Sequence, residues 1–181
     1  MSLVYLSLGS NLKDRLANLQ RAVTMLADRL RIVSVSSVYE TEPWGDTHQP
    51  PFLNICLAAT TDFSPRELMQ YLKSVEEQLG REPARRWGPR LIDIDILFFE
   101  DRVISEPGLI IPHPRIAERA FVLVPLVELG GALRHPETGK SVLEMLWQVE
   151  VSGVNRLHDF SLGSDRATVM PKTEQPQGSA S

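Results

Sequence analysis

The sequence predicts an α+β fold: a ferredoxin-like βαββαβ core within a three-layer α-β-α single domain. Three observations predict it. β-rich and amphipathic segments follow one another as strand, helix, strand, strand, helix, strand. Each helical segment carries one apolar stripe and so covers one face of a sheet. The later segments FVLVPLVEL and SVLEMLWQV supply apolar cover for the other face.

Residues 3–8 alternate as a strand, which Gly9, Ser10 and Asn11 break. Leu16, Leu19, Val23, Leu26 and Leu30 recur at steps of three and four, predicting a helix that Asp14 can cap. Residues 32–41 and 52–61 are β-rich, and the loop EPWGDTHQPP between them is long for a hairpin. Ser64, Pro65 and Glu67 form a helix start signal, Leu68, Tyr71, Leu72, Val75 and Leu79 form the stripe, and Gly80 ends it. The fourth strand follows in RWGPRLIDIDILFF. From Leu162 the composition turns to Ser, Gly, Pro, Gln and Thr without periodicity. The expected division is a domain over residues 1–161 and a disordered tail over 162–181.

The chain has 181 residues, 43% of them hydrophobic, and a formal net charge of −4. That size suits one domain with a proper core, and the charge favours neither nucleic acid nor an anionic membrane as partner. One cysteine, Cys56, excludes a disulfide within the chain and suits a reducing cytoplasm. No stretch has the length of a membrane span or the pattern of a signal peptide.

Asp93 and Asp95 interrupt the apolar run Ile92, Ile94, Ile96 and Phe98, and residues two apart on a strand share a face. Two carboxylates about 7 Å apart repel unless a cation lies between them. Mg²⁺ takes such hard oxygens from a protein while substrate phosphates complete its octahedron. Arg81, Arg85, Arg86 and Arg90 crowd the preceding loop, and Arg115 and Arg119 follow His113. Carboxylates and guanidinium groups together address a polyphosphate carrying Mg²⁺. An isolated pair of aspartates would more often be an exposed polar face, and Arg85 or Arg115 taken singly a solvated loop residue.

Trp44 and Trp87 lie in Pro/Gly loops with no assured core, which suggests a flat heteroaromatic ring stacked beside the phosphate site. Phe52 and Phe121 begin apolar strands in this reading and suit a core equally well. Asn54 can read a donor/acceptor edge. The pattern contains no zinc motif, P-loop, GxGxxG or nucleophilic triad.

GSNL, YETEPWG, the FLN after the loop, LGR, RWGPR followed by IDIDIL, and IPHPR followed by RAFVLVPL resemble the 6-hydroxymethyl-7,8-dihydropterin pyrophosphokinases of folate biosynthesis. The resemblance runs from about Leu3 to the region of Trp147. It implies a monomer with a three-layer fold that moves the pyrophosphoryl group of ATP to the pterin hydroxymethyl, releasing AMP, with two Mg²⁺. It further implies Asp93 and Asp95 as metal ligands, and Arg90, Arg81, His113 and Arg119 on the phosphates. Glu76 and Ile96 match nucleotide-side positions, and Thr41, Pro43, Trp44, Phe52, Asn54, Trp87 and Phe121 match the pterin pocket. The chain departs from the family pattern at Pro83, where a second arginine is frequent, at Leu91 in place of threonine, and at Glu42 and Trp44. The loops over residues 41–51 and 81–89 are expected to close over the substrates. A single-strand nucleic-acid module and a metal-dependent phosphohydrolase are the rival readings; the net charge opposes the first and the aromatic loops the second.

Overall fold

A computed structural model describes residues 1–43, 48–80 and 90–162. Its frame is an antiparallel six-stranded sheet with helices on both faces. The strands are β1 (Ser2–Ser10), β2 (Arg31–Val35), β3 (Val38–Thr41), β4 (Phe52–Thr61), β5 (Asp93–Phe99) and, after the hairpin β6 (Ile104–Glu106) and β7 (Leu109–Ile111), β8 (Val154–His158). The sheet runs β5-β1-β4-β3-β8, and β2 pairs with the far half of β4.

The helices are α1 (Arg15–Leu26), α2 (Pro65–Gln78), α3 (Ala120–Gly130) and α4 (Val142–Leu146). Asp14 caps α1 by accepting the Ala17 N–H, and Ser64 with Glu67 makes a reciprocal capping box on α2. Leu19, Val23 and Leu26 of α1 and Leu68, Leu72 and Val75 of α2 pack on Val4, Leu6, Leu8, Ile55, Leu57, Ile94 and Ile96. On the opposite face Val122, Leu123 and Leu126 of α3 and Val142 and Met145 of α4 pack on Cys56, Leu97 and Phe98. A register shift in the β1/β5 ladder, from Leu6↔Ile96 to Tyr5↔Phe98, leaves Leu97 as an extra residue. That bulge lets Leu97 and Phe98 join one cluster although they are adjacent in sequence.

Two expectations are corrected. Residues 32–41 form two strands, because side chains replace part of the ladder at Ser36 and Ser37, although the Ser36 N–H still donates to Cys56 O at 2.9 Å. The Ser36 hydroxyl accepts the Cys56 N–H at 2.9 Å and donates to the Ser37 carbonyl, while the Ser37 N–H donates to Glu128 of α3 at 2.7 Å. Phe121 begins no strand: it is the second residue of α3, whose buried Val122, Leu123 and Leu126 follow the helical period. After β8 the chain returns over the α1 side, where Phe160 and Leu162 pack on the first cluster. The disordered tail expected from residue 162 otherwise lies outside the described residues. Among these, no helix is long and apolar enough to cross a membrane.

Tyr39 donates its hydroxyl to Glu128, joining β3 to α3. Burial first, and then that bond to a carboxylate, pushes the phenol from 10.0 up to about 12. The folded state therefore holds this proton more tightly than the unfolded chain, and the contribution is intact below pH 10 and lost as pH rises toward 12. Tyr39→Phe should lower stability at neutral pH by about 1 to 3 kcal/mol, since Glu128 loses a donor. It should also flatten the decline above pH 10, as read by denaturant unfolding across that range; a variant with the wild-type slope would refute the assignment.

Candidate active site

The alternation in β1 decides where a ligand can lie. Leu6 and Leu8 face the helices α1 and α2, so Ser7 and Gly9 face the other way. In the ladders Gly9 sits between Asn54 on β4 and Asp93 on β5, and Ser7 between Cys56 and Asp95. Small residues on the central strand, flanked by larger polar ones, leave a trough. It forms the floor of a cleft of about 260 Å³ lined by Thr41, Glu42, Gln49, Phe52, Arg90, His113, Arg119 and Phe121 besides the floor residues.

One end is charged. Arg90 donates to Asp93 Oδ1 at 2.6 Å, and Arg119 Nη1 donates to Asp95 Oδ2 at 3.3 Å. His113 is brought in by its backbone N–H, which donates to Leu97 O at 3.0 Å and so sets it against the edge strand β5. Its Nδ1 accepts the Arg115 N–H at 3.1 Å, so the neutral ring carries its proton on Nε2. Burial lowers its pKa, against the opposing pull of Asp95, which favours that neutral ring. Nε2 lies 3.2 Å from Arg119 Nη1 and 3.8 Å from Asp95. Two donors thus converge on one space, and Arg119 Nε is buried without an acceptor among the described residues. An anionic oxygen would satisfy both.

The other end is amide and aromatic. Asn54 Nδ2 donates to Thr41 Oγ1 at 2.6 Å, and both residues are buried. That bond fixes the carboxamide near Phe52 over Gly9, and the lining also includes Phe121, whose ring centroid is 5.6 Å from the Arg119 guanidinium carbon. Phe121 reaches the cleft because it lies on the first turn of α3, directly after Arg119.

The cleft brings together Thr41, Phe52, Asn54, Arg90, Asp93, Asp95, His113, Arg119 and Phe121. Pro43 is buried next to it but is not part of its lining. Glu76 and Ile96 face away. Glu76 is fully buried beneath β5, where it accepts the Ile94 N–H at 2.8 Å and pairs with Lys73, and Ile96 belongs to the α1/α2 cluster. Trp44, Arg81 and Trp87, with Arg85 and Arg86, lie outside the described residues. Ser7 and Gln49 line the cleft without standing in any quoted motif, although the alternation Leu6-Ser7-Leu8-Gly9 carries the signal for the floor, and Gly9 and Asn11 stand in GSNL, which assigned them no role.

No group of three or more His, Cys, Asp or Glu side chains that could hold a metal ion alone occurs among the described residues. Two carboxylates beside an unsatisfied anion site do fit Mg²⁺ that arrives on a phosphate ligand, which keeps water and phosphate in most of its coordination positions.

The profile of the 7,8-dihydro-6-hydroxymethylpterin-pyrophosphokinase (HPPK) family matches residues 5–131, more than half the chain. The chain belongs to that family. The HPPK relatives include the 2-amino-4-hydroxy-6-hydroxymethyldihydropteridine pyrophosphokinase of Methylorubrum extorquens, 45% identical over 159 residues, 87% of this chain and 99% of that one. The Aquifex aeolicus protein of the same name is 42% identical, covering 80% of this chain and 90% of its own length. A solved structure of Plasmodium falciparum HPPK-DHPS superimposes with a TM-score of 0.68 at 16% identity, over 81% of this chain and 44% of that one. This chain therefore spans under half the length of that solved protein, and the likeness concerns fold alone.

A Cβ built on Gly9 would stand 2.8 Å from Asn54 Oδ1 and 3.7 Å from Phe52 Cδ1. Since Asn54 is buried and held by Thr41, it has no room to yield. Gly9→Ala should destabilise the protein by about 1 to 3 kcal/mol in denaturant unfolding. The penalty should shrink in an Asn54→Ala background; an equal penalty in both backgrounds would show that this contact does not shape the floor.

Proposed function

We propose that this HPPK-family chain transfers the pyrophosphoryl group of ATP to the hydroxymethyl of 6-hydroxymethyl-7,8-dihydropterin and releases AMP, as a step in folate biosynthesis. The observation that carries the proposal is the polarity of the cleft: arginines with one buried donor, Arg119 Nε, that has no acceptor among the described residues at one end, and a buried amide with two phenylalanines in the lining at the other. A polyphosphate suits the first end and a flat hydrogen-bonding ring the second. We read the strand order, with α1 and α2 on one face, as ferredoxin-like, and the enzyme as a cytoplasmic monomer.

The hydroxymethyl oxygen gives up its proton to solvent and forms a bond to the β-phosphorus as the bond from that phosphorus to the α-bridging oxygen breaks, the electron pair leaving on AMP. The protein's part is alignment and charge neutralisation, and no side chain forms a covalent intermediate. Asp93 and Asp95 would hold two Mg²⁺, which when bound neutralise phosphate charge and acidify the attacking hydroxyl. Arg90 and Arg119 grip phosphate oxygens, and His113 donates from Nε2. Asn54 and Thr41 read the ring's polar edge while Phe52 and Phe121 cover its faces, which sets the hydroxymethyl toward the charged end.

Product analysis is the direct test: AMP should appear only when ATP and the hydroxymethyl pterin are both present, and free phosphate without pterin would indicate hydrolysis instead. Asp95→Ala should abolish transfer at saturating Mg²⁺ while unfolding like the wild type; retained turnover would remove Asp95 from the metal-binding role. Arg90→Ala should cost about 2 to 4 kcal/mol of transition-state stabilisation, read from kcat/KM, as for other preorganised charge donors. A change confined to KM would instead mark uniform binding.

A further inference from the structure

We propose that Asn11 is a positioning residue that ties the phosphate-facing and ring-facing walls of the cleft to each other. The proposal rests on the transfer reaction proposed above. The β1/β4 ladder ends at Ser10↔Leu53 and the β1/β5 ladder at Gly9↔Asp93, just where both neighbouring strands open into cleft loops. Asn11 is the next residue of the chain, and it continues the grip on both sides.

Toward β5, the Asn11 N–H donates to Arg90 O at 3.1 Å, and Asn11 Oδ1 accepts the Arg90 N–H at 2.7 Å. This pair of bonds fixes the backbone from which Arg90 reaches Asp93. Toward β4, Asn11 Nδ2 donates to Gln49 Oε1 at 2.9 Å and to Pro50 O at 3.2 Å. Arg15 adds a bond to Pro51 O at 2.8 Å, so the chain reaches Phe52 already anchored. An asparagine serving only its own turn would be exposed and locally bonded. Asn11 is 1% exposed, and its side-chain partners lie 38, 39 and 79 residues away. Nor is it part of the cleft lining, so it acts through Arg90 and Gln49.

The consequence is that removing one amide should misplace both substrates, whereas removing either of its partners should misplace one. Steady-state kinetics on the full chain test this. Asn11→Ala is expected to lower kcat/KM by about 10- to 100-fold for ATP and for the pterin alike, the scale of loss from an ångström of misplacement. Gln49→Ala is expected to raise the KM for the pterin and leave that for ATP unchanged.

Wild-type kinetics for Asn11→Ala overturn the proposal, as does a loss that only tracks the fraction of folded protein in thermal unfolding. Should Asn11→Ala fail to fold, the split between the two KM values in Gln49→Ala decides, and equal changes in both overturn it. Absence of AMP from the wild-type chain with both substrates overturns the transfer reaction and this role together. Transfer by the wild type with unaltered variant kinetics overturns the role of Asn11 alone.

Discussion

A strand repeats every two residues, so Asp93 and Asp95 must point the same way, and the surrounding structure answers that repulsion. Arg90 meets one carboxylate and Arg119 the other, arriving from opposite ends of the chain segment that follows α2. Exposed ion pairs contribute about 1 kcal/mol or less, and both aspartates are partly exposed. Stability therefore does not explain the arrangement. What the pairs do is gather four charged groups of both signs within one small volume.

The strand bearing the pair is held from below. Between the two aspartates, Ile94 turns to the helix side, and its N–H is taken by the buried carboxylate of Glu76 on α2. The resemblance to pyrophosphokinases matches Glu76 to a nucleotide-side position; in this structure it acts on the backbone of β5. The floor depends on a different economy of size. Ser7 and Gly9 on the central strand keep the trough open, and Gly9 in particular admits the Asn54 amide at a distance no Cβ would tolerate.

The order of helices and strands up to β5, apart from the division of β2 from β3, was legible from physical signatures: Asp14 and the Ser64/Glu67 box start the helices, apolar alternation marks β1, and β-rich composition marks β4. The same signature in Ser141 and Glu144 marks the start of α4, where the segment had been read only as apolar cover. The split of β2 from β3 involves Glu128, 91 positions away from Ser37, and no local pattern reports such a partner. Phe121 looked like the start of a strand because Phe-Val-Leu-Val is apolar throughout; period alone does not separate a buried strand from a buried helix turn. Nine of the residues expected at the site line one cleft. Asn11 escaped because its partners, Gln49, Pro50 and Arg90, are joined to it only by the fold.

The two ends of the cleft differ in what they can give up. At the ring end, Asn54 and Thr41 are buried and bonded to each other, so any reorientation would leave a polar group unsatisfied at about 1 to 3 kcal/mol. At the phosphate end the arginine pairs are weak and partly solvated, and their partners can be exchanged at little cost. A preformed rigid half suits a ring whose edge must be read without error. An adaptable half would suit, in the proposed reaction, a chain of phosphates whose charge shifts during transfer. Under the role proposed for Asn11, its bonds to both walls would keep adaptation at one end from loosening the other.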